Sequence, residues 1–527
     1  MIVPPELLER IALFLPTAAI MELFLKAFPL QSLTHPLQSL LAFFHDKHQI
    51  DENMLWPVLI AHDHPLMTEF INNYYNTIAV LYQTVQVNYL PFPCTIPSSN
   101  LIELVPTIEC SDDLLHLTSL NWHHISRFSA SLYENEAKDI AWTDDGVNQL
   151  CKAIGTMNKL RLFKFTWGCS GKPKWFSQMI KAISVSTIVD FVLQIEEGCD
   201  EWSTELLELF KSWVLKKSTK DVAFFGSVGN LQTVQYLAKA IWSSTTLQYI
   251  GMFDSNLVSE YFSHRKKIPD SVRAIGAVYC TSEDIENIRH CIGSSYLEAL
   301  RISFDDAIDS SRHISSAIAS LLNLKSLVLC SIAMPTVWHY GPLLTILPQL
   351  TDLHLSGNNL KSCGVLEISR ILPACKKLKS LRLGSQNCSN SGAMALALAL
   401  PHCPSLKTLD LSMNQIGLNG VLALTRVIHQ LTELDLSYND IQESGAIGIS
   451  RVIPRTTRME CLNLGGNLLG KQGVLAIIAG ILQTPHRIGY IDLSLTVDDI
   501  DESIECTQAV AQLPHPWMIA HSDGDYF

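Results

Sequence analysis

Hydrophobic and polar residues follow one short pattern at regular intervals through the second half of the chain. The stretch LNLGGNLLGKQGV opens with a Leu-x-Leu triplet at Leu462, and the same triplet opens stretches at Leu353, Leu381, Leu409 and Leu434. Their starts lie 28, 28, 25 and 28 residues apart, a spacing typical of repeat solenoids. The twelfth position of each repeat is glycine: Gly364, Gly392, Gly420, Gly445 and Gly473.

Each repeat is predicted to form one strand followed by one helix. The alternation in Leu-x-Leu predicts a strand with both leucines inward and the middle residue outward. Apolar residues at helical spacing follow the glycine, as at Val421, Leu424 and Ile428. One strand and one helix cannot bury their apolar faces alone, so the repeats are expected to stack.

The pattern is clear over seven repeats from Leu324 to Leu495 and becomes weaker upstream. Weaker copies start at Leu160, Ile188, Lys220, Leu247, Val272 and Leu297, with a possible first copy at Leu117. We therefore predict about 13 or 14 repeats in an array over residues 111–500, followed by a C-terminal cap and tail over residues 501–527.

These repeats resemble the leucine-rich repeats of the ribonuclease-inhibitor type. The resemblance implies an α/β fold, a curved horseshoe with a parallel sheet inside and helices outside. It also implies that partners bind on the concave face of the sheet.

The first hundred residues follow a different, helical pattern. Leu7, Leu8, Ile11 and Leu15 share one face of the stretch PPELLERIALFLP. A short helix is predicted around Leu37, Leu40, Leu41 and Phe44, and a longer one from Thr68 to Val85. Four prolines follow between residues 91 and 106, so residues 61–110 are predicted to form a helical connection and a Pro-rich linker.

The opening residues are similar to an F-box. The order Val3-Pro4-Pro5-Glu6-Leu7-Leu8, then Ile11, then Phe14-Leu15-Pro16 is the order of that family. The resemblance implies an F-box-like domain over residues 1–60 that docks onto the Skp-type linker of a cullin ubiquitin ligase. The residues implied to bind the linker are Pro5, Glu6, Leu7, Leu8, Ile11, Leu15 and Pro16. A helical cap that seals the first repeat is the alternative interpretation.

Composition and charge narrow the function. The net charge of −13 argues against nucleic acid as a partner, because that surface needs clustered Lys and Arg. No stretch approaches 18 uninterrupted apolar residues, so no membrane association is expected. Fourteen cysteines without a CxxC pair indicate reduced thiols, many of them in the core, as at Cys330, Cys375, Cys403 and Cys461. The predicted compartment is the cytoplasm, with the nucleus as a second location.

Catalytic and cofactor motifs are missing from the sequence. Gly465, Gly470 and Lys471 come close to a phosphate-binding loop, but only Gly473 repeats elsewhere and Gln472 lacks the hydroxyl that such a loop offers to magnesium. Neither GxSxG nor HExxH occurs. We therefore predict no enzyme activity, no cofactor and no metal site.

Outward positions of the predicted strands are the candidate binding residues. Three aspartates in this set could attract a basic segment of a partner. The predicted substrate-binding residues on the concave face are His354, Arg382, Asp410, Asp435, Tyr438, Asn463 and Asp492.

Three functions remain open from the sequence. The first is a non-catalytic adaptor, the substrate-recognition subunit of a cullin-type ubiquitin ligase, with an unknown protein substrate in the array. The second is a generic leucine-rich-repeat binding scaffold. The third is a GTPase-activating protein similar to the Ran-activating family, although none of that family's functional residues maps onto this chain.

Overall fold

The chain divides into two compact units, Met1–Leu257 and Val258–Phe527. The computed structural model describes residues 25–26, 33–46, 59–61, 84–87, 101–104, 107–116, 122–133, 142–169, 172–196, 202–293, 295–304, 311–331, 337–484, 488, 490–494, 496, 506 and 518–520. Among these residues, no helix is both long enough and apolar enough to cross a membrane.

Strands and helices alternate through the first unit. Its strands are β1 (Leu59–Ala61), β2 (Thr84–Val87), β3 (Leu101–Leu104), β4 (Ile125–Tyr133), β5 (Leu162–Gly168), β6 (Asp190–Ile195), β7 (Asp221–Phe225) and β8 (Tyr249–Phe253). Its helices are α1 (His35–Asp46), α2 (Ser111–His116), α3 (Asp144–Thr156), α4 (Pro173–Val185), α5 (Thr204–Val214) and α6 (Leu231–Trp242), and α7 (Ser255–Ser263) spans the unit boundary. Each strand pairs in parallel with the next in chain order.

Local signals start the helices of the first unit. The side chains of Thr143, Ser203 and Asn230 each accept a backbone N–H from the first turn of α3, α5 and α6. Such N-caps satisfy amide groups that have no partner within the helix. The N-caps therefore fix the residue at which each of these three helices begins.

Phenylalanine replaces leucine in the core of the first unit. Phe128, Phe163 and Phe191 are partners on β4, β5 and β6. Their rings stack with centroids 5.7 and 6.2 Å apart. All three are 0–1% exposed. The Leu-x-Leu pattern weakens here because larger apolar side chains fill the same inward column.

Three details of the first unit differ from the sequence predictions. The strand expected in the copy at Leu117 begins later, because Trp122–His124 form a 3-10 turn and β4 starts at Ile125. Residues 84–85 form part of β2 and not the end of a long helix. Strands β2 and β3 also lie within residues 61–110. Strands of four residues are too short for their alternation to be recognised among prolines.

The second unit repeats the same order of elements. Its strands are β9 (Ala274–Cys280), β10 (Ala299–Phe304), β11 (Ser326–Cys330), β12 (Asp352–His354), β13 (Ser380–Arg382), β14 (Thr408–Asp410), β15 (Glu433–Asp435), β16 (Cys461–Asn463), β17 (Tyr490–Asp492) and β18 (Met518–Ala520). Its helices are α8 (Ser282–Ile292), α9 (Ser311–Ile318), α10 (Val337–Leu344), α11 (Lys361–Ile371), α12 (Ser389–Ala399), α13 (Leu418–Leu424), α14 (Glu443–Ser450) and α15 (Gly470–Ile481). The strands again pair in parallel in chain order, including β17 with β18 beyond residue 500.

Two columns of leucine form the core under the sheet of the second unit. The first leucine of each triplet pairs in register with the same leucine of the next repeat. The two columns are Leu353, Leu381, Leu409, Leu434 and Leu462, and Leu355, Leu383, Leu411, Leu436 and Leu464, all at most 4% exposed. Burial of each side chain contributes about 2 kcal/mol, so the stack supplies the core that a single repeat lacks.

The glycine at position twelve allows neighbouring elements to approach closely. A Cβ atom on Gly473 in α15 would lie 2.9 Å from the Cβ of Ala446 in α14. A Cβ on Gly420 in α13 would lie 2.7 Å from Cγ2 of Ile416. Both distances are shorter than ordinary van der Waals contact, so glycine recurs for packing and not for phosphate binding.

A ladder of buried amide side chains joins the turns after the strands. Asn414, Asn439 and Asn467 each donate from Nδ2 to a leucine carbonyl of the preceding repeat, at 2.7–2.9 Å. Each Oδ1 accepts two backbone N–H groups from that preceding repeat. Gln386 occupies the equivalent place, donating to the carbonyl of Leu355 at 2.6 Å. The ladder satisfies backbone groups that the turns would otherwise bury without partners.

These elements form an α/β leucine-rich-repeat solenoid. In the first unit, the helix expected around Leu37, Leu40 and Leu41 is α1, and these three leucines are buried. The residues that the F-box resemblance implies for linker binding, Pro5, Glu6, Leu7, Leu8, Ile11, Leu15 and Pro16, lie outside the described residues.

Candidate functional site

The outward side chains of β10–β17, all in the second unit, form three parallel columns that we call the strand face. Side chains alternate along a strand, so the residues on either side of each buried leucine point outward together. The first column is Ala299, Ser326, Asp352, Ser380, Thr408, Glu433, Cys461 and Tyr490, and the middle column is Arg301, Val328, His354, Arg382, Asp410, Asp435, Asn463 and Asp492. The third column holds the residue that follows each middle-column residue by two positions. Its members are Ser303, Cys330, Ser356, Gly384, Ser412, Ser437, Gly465 and Ser494.

The structure brings six of the seven predicted binding residues into the middle column, in register. They are His354, Arg382, Asp410, Asp435, Asn463 and Asp492, each a Cα partner of the next. The column also contains Arg301, which pairs with Val328 and was not predicted. The sequence did indicate this position, because Arg301 stands between the apolar residues Leu300 and Ile302 in the same alternation that predicts an outward middle residue.

Aspartate and serine form the same small structure on three strands. Oδ1 of Asp410 accepts the backbone N–H of Ser412 at 2.9 Å and its hydroxyl at 2.7 Å. Asp435 and Ser437 repeat this arrangement, as do Asp492 and Ser494. One carboxylate oxygen of each aspartate therefore orders the end of its strand. The second oxygen of Asp492 also accepts the hydroxyl of Tyr490 at 3.5 Å.

The carboxylate of Asp435 lies within the ladder of aspartates. Burial raises its pKa, and hydrogen bonds from Ser437 oppose that change, while the nearby Asp410 raises the pKa further. Nδ2 of Asn463 donates to Oδ2 of Asp435 at 3.1 Å. Asn463 therefore stands in the middle column between Asp435 and Asp492, where a fourth aspartate would continue the series. Its amide gives the carboxylate of Asp435 a hydrogen-bond donor.

The imidazole of His354 lies between two arginines. Burial lowers its pKa below the usual value, and the positive charges of Arg382 and Arg301 lower it further, against the opposite effect of Asp410. Nε2 of His354 lies 3.8 Å from Sγ of Cys330. At neutral pH the histidine is therefore uncharged, and Arg301 and Arg382 carry the positive charge of this part of the column.

Tyr438 lies just beyond the columns, in the turn after Ser437. Tyr438 and Met413 occupy equivalent positions with left-handed backbone, at φ 51° and 55°, where two other repeats have Gly357 and Gly466. The two side chains are 40% and 52% exposed. A large residue in this conformation costs about 1 kcal/mol, and here it places an aromatic ring and a thioether beside the aspartates.

The ring of Tyr438 depends on a neighbouring glycine. A Cβ on Gly466 would lie 2.5 Å from Cδ1 of Tyr438, so the ring occupies the space left by the missing side chain. Tyrosine is one of the residue types that supply most of the energy at protein interfaces. The strand face therefore combines charged columns with one semi-exposed aromatic anchor.

Metal and phosphate chemistry receive no support from the described residues. No group of three or more His, Cys, Asp or Glu there could hold a metal ion. The backbone N–H of Gly470, at the start of α15, donates to the carbonyl of Thr496 at 3.1 Å. The loop from Gly465 to Lys471 is thus part of the repeat stack.

The described cysteines are all free thiols. Cys375 and Cys403 are buried, as predicted. Cys330 and Cys461 are only half-buried, because each lies on the outward side of its strand and not in the core. Burial raises the pKa of the Cys461 thiol to about 11.

A family model supports the nature of the repeats. The model described as Leucine Rich repeat matches residues 402–424 and 429–450. These residues cover the repeats around β14 and β15, where the pattern of leucines and the amide ladder are most regular. No curated protein matches the chain.

Solved structures with similar folds are distant in sequence. A TLR13–ssRNA13 complex matches at 15% identity over 83% of this chain and 52% of that chain, with a TM-score of 0.32, so the match spans about half of that protein. The Rad7 and Elc1 complex in yeast matches at 13% identity over 72% and 89%, with a TM-score of 0.44. An internalin from Listeria monocytogenes matches at 15% identity over 71% and 83%, with a TM-score of 0.31.

At these identities and TM-scores, the three structures carry no argument about what this chain binds. The register of the sheet, the leucine columns and the match to the family model agree on one description. The chain carries leucine-rich repeats, and in its second unit they present a charged strand face.

Proposed function

We propose that this protein is a non-catalytic protein-binding adaptor, the substrate-recognition subunit of a cullin-type ubiquitin ligase. In this proposal the strand face holds a protein substrate, and residues 1–60 dock onto the Skp-type linker of the ligase. The free cysteines among the described residues support a reducing compartment, the cytoplasm or the nucleus.

The observation that supports the binding role most strongly is the continuity of the strand face. The same outward position is in register over eight consecutive strands, β10–β17. Binding residues gain affinity when a rigid scaffold holds them before the partner arrives. The aspartates are fixed in this way by their serines, and Tyr438 is fixed by its contact with Gly466.

The link to the ligase is supported by the sequence of the N-terminal segment. Pro5, Glu6, Leu7, Leu8, Ile11, Leu15 and Pro16 follow the F-box order. The spacing of Leu7, Leu8, Ile11 and Leu15 predicts that they share one face of a helix, and such an apolar face would suit a partner helix. A domain of about 50 residues is also only marginally stable without a partner.

Co-expression with a Skp-type linker tests this link. The full chain is expected to co-purify with the linker, and Leu8→Asp together with Ile11→Asp is expected to abolish this by burying charge in an apolar contact. The matched control is Leu322→Asp, since Leu322 is 80% exposed on the array and its substitution should leave the linker bound. Equal recovery of the linker with the Leu8→Asp, Ile11→Asp variant contradicts the proposal.

The same experiment distinguishes the ligase adaptor from the alternative, a generic leucine-rich-repeat scaffold in which the N-terminal segment only caps the array. In that case the linker does not co-purify with any variant. The Leu8→Asp, Ile11→Asp variant then lowers the free energy of unfolding of the array and leaves linker recovery unchanged.

A further inference from the structure

The charged side chains of the strand face are separated by sign along the sheet. The strands β14–β17 carry the carboxylates Asp410, Glu433, Asp435 and Asp492 and no cation in the three columns. In the three columns, the strands β10–β13 carry two arginines, Arg301 and Arg382, and one carboxylate, Asp352. The middle column is positive at this end because it carries Arg301 and Arg382 and no carboxylate.

Among the described residues, no ion pair joins the two ends where they meet. Arg382 and Asp410 are Cα partners on neighbouring strands, and Arg382 is exposed. Within the described part of the chain, however, no ion pair joins these two side chains, and Oδ1 of Asp410 is held by Ser412. Arg382 is therefore exposed to a partner beside the half-buried Asp410.

Two glycines in the third column leave room for the backbone of a partner segment close to the sheet. Gly384 and Gly465 occupy the third column beside Asp410 and Asp492. A Cβ on Gly384 would lie 2.8 Å from Oγ of Ser412, and a Cβ on Gly465 would lie 3.0 Å from Oδ1 of Asp492. Glycine therefore keeps both carboxylates uncovered.

From this separation we propose that the strand face binds an extended segment of a partner protein that has an acidic cluster at one end and a basic cluster at the other. The inference rests on the proposed binding function and names the chemistry of the substrate segment. Its acidic end lies over Arg301 and Arg382, and its basic end lies over Asp410, Asp435 and Asp492. Tyr438 and Met413 contact the aliphatic part of the basic side chains.

The dimensions of the sheet set the spacing of the two clusters. Neighbouring strands lie about 4.8 Å apart, so the centres of the basic and acidic ends are roughly 19 Å apart along the sheet. An extended chain covers this distance in about six residues. A partner segment with its clusters much closer together cannot satisfy both ends.

The test uses a fluorescein-labelled peptide with three glutamates, a neutral spacer of about three residues and three arginines, so that the cluster centres lie about six residues apart. A second peptide has the same composition with the charges alternating along its length. Fluorescence anisotropy with the full-length protein at low salt measures both dissociation constants. We expect the first peptide to bind about tenfold more tightly than the alternating one.

Charge reversal on the protein makes the test specific. Arg301→Glu with Arg382→Glu, and separately Asp410→Arg with Asp435→Arg, are each expected to weaken binding about tenfold. All four reversals together, in a background in which Glu433→Gln and Asp492→Asn remove the other two carboxylates of this end, restore it, because the peptide then lies in the opposite direction. If the Asp→Arg variants do not fold by circular dichroism, Asp410→Asn with Asp435→Asn replaces them, since Asn463 accepts the N–H of Gly465 in the same way.

Three results overturn the inference. The first is that the alternating peptide binds as tightly as the peptide with separated clusters. The second is that a uniformly basic peptide binds as tightly as the peptide with separated clusters. The third is that the protein with all four reversals folds and fails to restore binding. Recovery of the Skp-type linker does not depend on the strand face, so the Arg382→Glu variant should still co-purify with it. Failure of the peptide test with linker recovery intact therefore rejects this inference and not the ligase function.

Discussion

The backbone N–H of Asn414 donates to the side-chain oxygen of Asn439, one repeat further along the chain, at 3.0 Å. The same oxygen accepts the N–H of Ile416 at 2.9 Å, and Nδ2 of Asn439 donates to the carbonyl of Leu411. A single buried side chain thus holds three backbone groups of the preceding repeat. The stack is joined by this polar ladder as well as by its leucines.

Replacing Asn439 with Ala is expected to lower the free energy of unfolding of the second unit by about 3 kcal/mol, because the change leaves buried backbone donors and acceptors without partners. Chemical denaturation followed by circular dichroism measures the loss. Gln442→Ala is the control, since Gln442 is exposed and makes no capping hydrogen bond with its side chain. A loss for Asn439→Ala no larger than for Gln442→Ala contradicts the role of the ladder.

Gly466→Ala is expected to destabilise the protein by about 2 kcal/mol through two effects. Alanine is strained at the φ of 66° that Gly466 adopts, and its Cβ would collide with the ring of Tyr438. In a Tyr438→Ala background only the backbone effect remains, about 1 kcal/mol.

Gly293→Ala serves as the control for this pair. Gly293 has φ −54°, and a Cβ there meets nothing within 4 Å. The substitution should therefore be neutral or slightly stabilising. Equal destabilisation by Gly466→Ala with and without the ring would show that Tyr438 does not occupy the space above Gly466.

Asp190 in the first unit should make stability depend on pH. Burial raises its pKa to about 6, and its strand partner Asp221 raises it as well, against the effect of Arg161. Because the folded pKa exceeds the unfolded one, the favourable contribution of Asp190 is complete below about pH 4 and is lost as the pH rises through about 6. For a half-buried group we expect a loss of about 1 kcal/mol after solvent screening.

The Asp190→Asn variant tests the sign of this effect. It should unfold with a higher free energy than the parent at pH 7, by about 1 kcal/mol, and with an equal one at pH 4. In Asp221→Asn, NMR titration should find the pKa of Asp190 closer to 3.8, since one negative neighbour is gone. A parent that is more stable than Asp190→Asn at pH 7 refutes the assignment.

Much of the second unit could be predicted from the sequence because its strands and turns repeat the same residues. Leucine at both inward positions and asparagine in the turn recur at a fixed period, so the inward and outward sides of each strand follow directly. Gln386 takes the place of asparagine in the ladder, which only the structure reveals. Its longer side chain reaches the carbonyl of Leu355 and the backbone N–H of Leu360 in the preceding repeat.

Other features depend on geometry that no residue type specifies. The left-handed backbone of Met413 and Tyr438 is unusual for both residues, so the sequence predicts neither their turn nor their exposure. Phe128, Phe163 and Phe191 obscure the repeat because they replace leucine. The separation of charge on the strand face was partly visible, since the aspartates were predicted as a column but Arg301 was not included.

The central claim is that the strand face of the second unit binds the partner. Hydroxyl-radical footprinting of the full chain, alone and with a partner protein isolated in complex with it, tests this most directly. The account predicts that Met413 and Tyr438 lose reactivity on binding, while Met394 and Leu398 in α12, which are 47% and 69% exposed, keep theirs. Protection of Met394 and Leu398 with Met413 and Tyr438 unchanged would contradict it.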